Sequence, residues 1–140
     1  MTPANDLSVV AYADGASRGN PGPSSFGVVV YDEAGDELYT GGRVLGHGTN
    51  NQAEYAGAIA ALEAALGLGA TDVTLRMDSE LIVRQLTGRY RVRNPKLKPL
   101  YNRLLALRAR FRGLTVEHVP REKNKVADRL ANEALDGRST

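Results

Sequence analysis

Asp14, Glu54, Asp78 and Asp128 are carboxylates at places where an ordinary surface acid is not expected. Asp14 closes the apolar run Val9-Val10-Ala11-Tyr12-Ala13 and opens a segment rich in Gly, Ser, Asn and Pro. Asp78 closes a second run, Val73-Thr74-Leu75-Arg76-Met77. Glu54 falls in the first turn of an Ala-rich helical stretch, and Asp128 in the first turns of another. Two strand ends and two helix starts can bring four carboxylates to one point, where their mutual repulsion calls for a cation. The chemistry this predicts is that of a magnesium-dependent active site. Taken singly, Glu54 and Asp128 also suit the positive end of a helix dipole, and Asp14 suits an Asx turn. The four in combination point to metal.

The elements that must position these acids follow from periodicity and turn chemistry. Strands are predicted over 7–13, 26–31, 37–45, 72–77 and 114–119, with a turn-rich loop over 14–24 and a hairpin turn over 32–36. Thr49-Asn50 supplies cap chemistry for a helix that runs to about Leu66 and is closed by Gly67 and Gly69. A short helix follows over 79–87. A longer one starts between Pro95 and Pro99, with Leu100, Leu104, Leu107 and Phe111 as its apolar stripe, and a last one runs from Lys125 to Leu135. The order βββαβααβα predicts an α/β fold, with a mixed five-stranded sheet of three antiparallel plus two parallel strands flanked by helices. A length of 140 residues at 42% apolar composition fits one domain over 1–140, with 1–6 and 136–140 expected to be flexible.

Composition narrows the setting. The absence of Cys excludes disulfides and thiolate metal sites and favours a reducing compartment. Residues 1–8 lack a signal-peptide pattern, and no apolar run approaches the roughly 20 residues of a membrane span. The expectation is a cytoplasmic protein without a membrane partner. Net charge is only +2 but unevenly spread. Residues 1–80 carry Arg18, Arg43 and Arg76 against eleven acids, whereas residues 81–116 carry ten basic residues and no acid. A run of this kind is often just a solvated face. Without interspersed acids to pair with, it points instead to a polyanion held by one part of the molecule and processed by another.

Four blocks then carry a family resemblance: Asp14-Gly15-Ala16-Ser17-Arg18-Gly19-Asn20-Pro21-Gly22-Pro23, Thr49-Asn50-Asn51-Gln52-Ala53-Glu54, Asp78-Ser79 and Asn124-Lys125-Val126-Ala127-Asp128. Their content and order resemble type 1 ribonuclease H over nearly the whole chain. The resemblance implies endonucleolytic cleavage of the RNA strand of an RNA–DNA hybrid, with two Mg2+ ions (Mn2+ as substitute) held by the four carboxylates. Asp14 would bridge both ions, Glu54 and Asp78 would support one, and Asp128 the other. The chemistry suits the task, since two ions about 3.5–4 Å apart can activate water and bear the leaving oxyanion of a phosphodiester.

The resemblance also assigns binding roles. Asn20, Asn50 and Asn51 match the amides that contact the groove, and an amide's paired donor and acceptor can address the 2′-hydroxyl of RNA. The backbone of Gly15, Ala16 and Ser17 can do the same, Thr49 is a phosphate ligand near a helix start, and Ser79 and Arg84 flank the groove. As a cap, Asn50 would serve the helix and leave binding to Asn51.

Two features depart from the best-known bacterial members. Those carry an assisting His in a flexible loop before the last Asp. Here His118 falls in the last strand and Arg121 in a shorter loop. Arg121 is therefore expected to take that position as a fixed cation, since it cannot act as a base near neutral pH. The interval 79–114 holds two helices, too few for the basic handle of some members. Arg89, Arg91 and Arg93 form a basic connector expected to grip phosphates instead. A monomer is expected. The alternatives are a non-catalytic hybrid-binding module, which would be expected to lack one acid, and a related nuclease that also cuts double-stranded RNA. Fold alone would equally suit integrases and junction resolvases.

Overall fold

A computed structural model describes residues 6–137. The five strands are β1 (Ser8–Ser17), β2 (Gly22–Asp32), β3 (Glu37–Gly48), β4 (Asp72–Met77) and β5 (Gly113–His118). The helices are α1 (Asn50–Gly67), α2 (Glu80–Leu86), α3 (Lys98–Arg108) and α4 (Lys125–Leu135), with a short 3-10 turn at Arg121–Lys123. The strands form one sheet in the order β3-β2-β1-β4-β5. β1, β2 and β3 pair antiparallel, while β1 with β4 and β4 with β5 pair parallel. The expected element order and mixed sheet are both present. No helix among the described residues is long and apolar enough to cross a membrane.

Alternation along β2 separates two layers. Phe26, Val28 and Val30 join Tyr55, Ile59 and Leu62 of α1 in the main core. Gly27, between them, turns the other way: a Cβ there would lie 2.2 Å from the Ala127 carbonyl oxygen, so the missing side chain is what lets α4 rest on β2. The α3 stripe behaves as its spacing predicts. Leu104 is buried, Leu100 and Leu107 pack on the core, and Phe111 follows just past the helix. Gly69, at a φ of +83°, closes α1 as expected.

Several boundaries differ from the sequence reading, most of all at β1, at β2, which starts at Gly22 and not at Phe26, at β3 and at α1. β1 does not stop at Asp14 but continues to Ser17, paired with β2 as Asp14↔Gly27, Gly15↔Phe26, Ala16↔Ser25 and Ser17↔Ser24. Turn-forming residue types disguised this stretch as loop, while the ladder that holds it extended comes from a segment that begins at Gly22. β3 likewise runs on to Gly48. At α1 the cap is Thr49 and not Asn50: the Thr49 hydroxyl accepts from the Gln52 N–H at 3.1 Å, and the Gln52 carboxamide accepts from the Thr49 N–H at 2.9 Å. Glu54 consequently lies in the second turn of α1 instead of the first. Most of the terminal residues expected to be flexible (1–5 and 138–140) lie outside the described residues. Of the rest, Asp6 pairs with Arg112 at 3.0 Å and Asp136 with Arg18 at 2.6 Å.

Candidate active site

The site begins where two parallel strands part. β1 and β4 are paired from Ser8↔Asp72 to Tyr12↔Arg76 and no further, while β1 stays bound to β2 as far as Ser17. Beyond that fork, Asp14 on β1 and Asp78 just past β4 face a common cleft. The crevice outside the carboxyl ends of parallel strands is where α/β sheets place their ligand sites. Glu54 enters from α1, which approaches β1 closely because Gly15 has no side chain. A Cβ on Gly15 would lie 2.4 Å from the backbone of Ala53 and of Glu54. The Gly15 N–H instead donates to Glu54 Oε1 at 2.6 Å.

Ligand oxygens of Asp14, Glu54 and Asp78 all lie within 4.8 Å of one another. They line a cleft of about 390 Å³ together with Gly15, Asn50, Asn51, Ser79, Arg121 and Asp128. Asp128 comes from the first turn of α4 and lines the same cleft. Four carboxylates from two strand regions and two helices thus meet in one place, with a single arginine at the rim.

Comparisons with known proteins agree with this geometry. Residues 12–134 match a family model described as reverse transcriptase-like. A ribonuclease HI of Halobacterium salinarum is 49% identical over 128 residues, 91% of this chain and 64% of that protein. The ribonuclease H1 structure from that archaeon superposes with a TM-score of 0.91, covering 93% of this chain and 98% of the other. The chain belongs to the ribonuclease H family. The N-terminal ribonuclease H domain of a Mycobacterium tuberculosis protein, solved as a fusion with maltose binding protein, is 47% identical with a TM-score of 0.92, covering 94% of this chain and 96% of the other. This chain spans 36% of the whole mycobacterial protein, which is described as bifunctional. LC11 ribonuclease H1, solved in complex with an RNA/DNA hybrid, is 44% identical with a TM-score of 0.88, covering 92% of this chain and 97% of the other.

For a member of the ribonuclease H family, the electrostatics of the cleft are telling. Burial, foremost, raises the Asp14 carboxyl far above its usual range, and the hydrogen bond and charge of Glu54 raise it further. Burial also raises Glu54, to about 7, against the lowering effect of its hydrogen bonds to Asp14 and to the Gly15 N–H. Glu54 Oε2 is buried without a hydrogen-bond partner. A concentration of acids that resists ionisation, with an orphaned carboxylate oxygen, is what an all-oxygen site for a hard divalent cation looks like before its ion is counted. The residues fit the group.

Not every residue expected in the site lines the cleft. Asn50 and Asn51 do so from the first turn of α1. Asn20 stands behind them, its Oδ1 accepting from the Asn50 N–H at 3.0 Å. The Ser17 hydroxyl is engaged by the carbonyls of Gly19 and, at 3.0 Å, Gly48. Ala16 is held in the β1–β2 ladder, and Thr49 is occupied as the cap. Ser79 lines the cleft and also caps α2, accepting from the Ile82 N–H at 3.4 Å. Arg84 pairs with Glu80 at 3.4 Å and lies 5.3 Å from the centre of the Tyr90 ring. Arg89 and Arg91 line a separate groove with Lys98 and Tyr101, and Arg93 is exposed. His118 ends β5, opposite Met77, while Arg121 is the loop residue that reaches the acids. One residue escaped the sequence reading as a site member: Asn124, buried beneath the cleft with its side chain bonded to Asp78. Its place directly before a helix bearing Asp128 was the available signal.

Proposed function

We propose that this chain is a ribonuclease H that hydrolyses the RNA strand of RNA–DNA hybrids with divalent cations, Mg2+ in first place and Mn2+ as substitute. The convergence of Asp14, Glu54 and Asp78 within 4.8 Å, beside Asp128 and Arg121, carries the reading. Asp14, Glu54, Asp78 and Asp128 would hold the cations. Bound there, two such ions supply activation of water and neutralisation of the departing oxygen.

The chain's own residues do the rest. Asn50 and Asn51 offer amide donors and acceptors at the cleft edge, suited to the 2′-hydroxyls of the RNA strand in a minor groove. Asn20, whose Oδ1 accepts from the Asn50 N–H, has its amide donors left for substrate. Arg121 places a positive charge at the rim to steady phosphate. The groove of Arg89, Arg91 and Lys98 offers a second positive surface, suited to the phosphates of the other strand. A solved relative with an RNA/DNA hybrid bound supports the choice of substrate. We read the active species as a monomer, since the four acids, the two asparagines and Arg121 all come from one chain.

Labelled RNA–DNA hybrid, DNA duplex and RNA duplex, each incubated with and without chelator, test the proposal. Cuts confined to the RNA strand of the hybrid, and lost on chelation, are expected. An intact hybrid under both Mg2+ and Mn2+ would reject it, and cleavage of the RNA duplex would widen the substrate class. Replacing Arg89, Arg91 and Arg93 together with Ala is expected to weaken hybrid binding and to lower the slope of log affinity against log salt by up to about two to three, while single-turnover cleavage stays near wild type. Unchanged affinity in this variant would remove the connector from the binding surface.

A further inference from the structure

Asn124 links four segments around the acidic cleft, those of Asp14, Asp78, Arg121 and Asp128. It separates the turn that holds Arg121 from the helix that holds Asp128, and it is only 1% exposed. Its Nδ2 donates to the Ala13 carbonyl oxygen at 3.0 Å and to Asp78 Oδ2 at 3.3 Å. Ala13 is the residue before Asp14, so one amide group ties Asp78 to the strand that bears Asp14. The Asn124 backbone completes the connection. Its N–H donates to the Arg121 carbonyl at 2.9 Å, and its carbonyl accepts from the Asp128 N–H at 3.1 Å.

We propose that Asn124 is a positioning residue which fixes the Asp78 carboxylate against Asp14 and so sets the spacing of the cation site. The inference rests on the reading of the cleft as a metal-dependent active site. The choice of side chain supports it. Holding a carbonyl and a carboxylate from one point requires a donor with two hydrogens, and a neutral one leaves the negative charge of the cluster intact for cations. A Lys or Arg there would compete with the ions, and an Asp would repel Asp78. Asn124 Oδ1, moreover, is buried without a partner. An unpaired buried acceptor is costly, so this residue is poorly explained by stability alone. Partners that orient metal ligands in this way are worth about 10–100-fold in metal affinity or activity.

Two readouts test it: Mn2+ binding to the chelator-stripped protein by titration calorimetry, and hybrid cleavage as a function of Mg2+ concentration. For Asn124→Ala, the Mn2+ dissociation constant is expected to rise about 10-fold or more, with a parallel shift in half-saturating Mg2+. KM for the hybrid should stay near wild type, with much of the rate recovered at high Mg2+. Asn124→Ser keeps one donor and should fall between the two; it also provides the measurement if Asn124→Ala does not fold. A purely structural role would lower Tm in both variants without moving the metal affinity, and wild-type Mn2+ affinity in a folded variant overturns the inference. Failure of the wild-type protein to bind Mn2+ would overturn the reading of the cleft, and this inference with it.

Discussion

Asp14→Asn is expected to abolish hybrid cleavage while making the metal-free protein more stable. Asp14 is the acid at the centre of the cluster: beyond its burial, Glu54, Asp78 and Asp128 all raise its carboxyl. Removing its charge takes away a shared ligand of the cation site. If that site supplies several kcal/mol of transition-state stabilisation, the rate should fall roughly 10³-fold or more, at about 1.36 kcal/mol per factor of ten. The same carboxyl is an expense to the fold, because burial and three neighbouring acids oppose its ionisation and the folded chain must keep it protonated at a pH where the unfolded chain releases the proton. An isosteric neutral amide avoids that cost and can donate to Glu54. A gain of about 1–2 kcal/mol in chelator is expected, which at roughly 3–5 °C per kcal/mol is visible in a thermal melt. Asp36→Asn, in the exposed turn between β2 and β3, should change neither quantity. Retained cleavage in Asp14→Asn, or a lower Tm in chelator with activity lost, would mean that Asp14 serves the fold and not the metal.

What a sequence shows of such a site depends on whether the signal is local. Asp14 and Asp78 were legible because each ends an apolar run, and a charge at the end of a buried strand is conspicuous without knowledge of its neighbours. Thr49 and Gln52, three residues apart, carry a capping box on their face, yet the adjacent Asn50 offered an equally good cap by residue type. The continuation of β1 to Ser17 was hidden. Gly15, Gly19, Asn20 and Pro21 read as loop, and only the ladder to β2 makes their first part a strand. Gly15 itself looked like a turn residue, but its function is to let the backbone of α1 approach, a fact about Ala53 and Glu54. Asn124 was the least visible of all. Its side-chain partners lie 111 and 46 positions away, beyond any periodicity or motif spacing.

The second large effect concerns pH in the absence of metal. Glu54 is raised to about 7 by burial and Asp14 is raised further, whereas unfolded carboxyls titrate near 4. A folded-state value above the unfolded one means that the folded protein binds more protons, so stability is full below about pH 4 and is lost as pH rises through the folded-state values. In chelator, the unfolding free energy should therefore decline from pH 5 to pH 8, by about 2–3 kcal/mol from Glu54 as it ionises and further, in the same direction, from Asp14. Asp72, lowered by its bond to Arg112, acts in the opposite sense, but its contribution changes only near and below pH 4, outside this window. Saturating Mg2+ should flatten the decline, because cations favour the ionised form of the same carboxylates, and the stabilisation by metal should grow with pH. Asp14→Asn should show a shallower slope than wild type in chelator and a smaller response to Mg2+. Denaturant melts at pH 5, 6, 7 and 8, with chelator and with Mg2+, measure all of this. A chelated protein equally stable at pH 5 and pH 8 would show that the cluster ionises without strain, and an equal Mg2+ response at every pH would place the cation elsewhere.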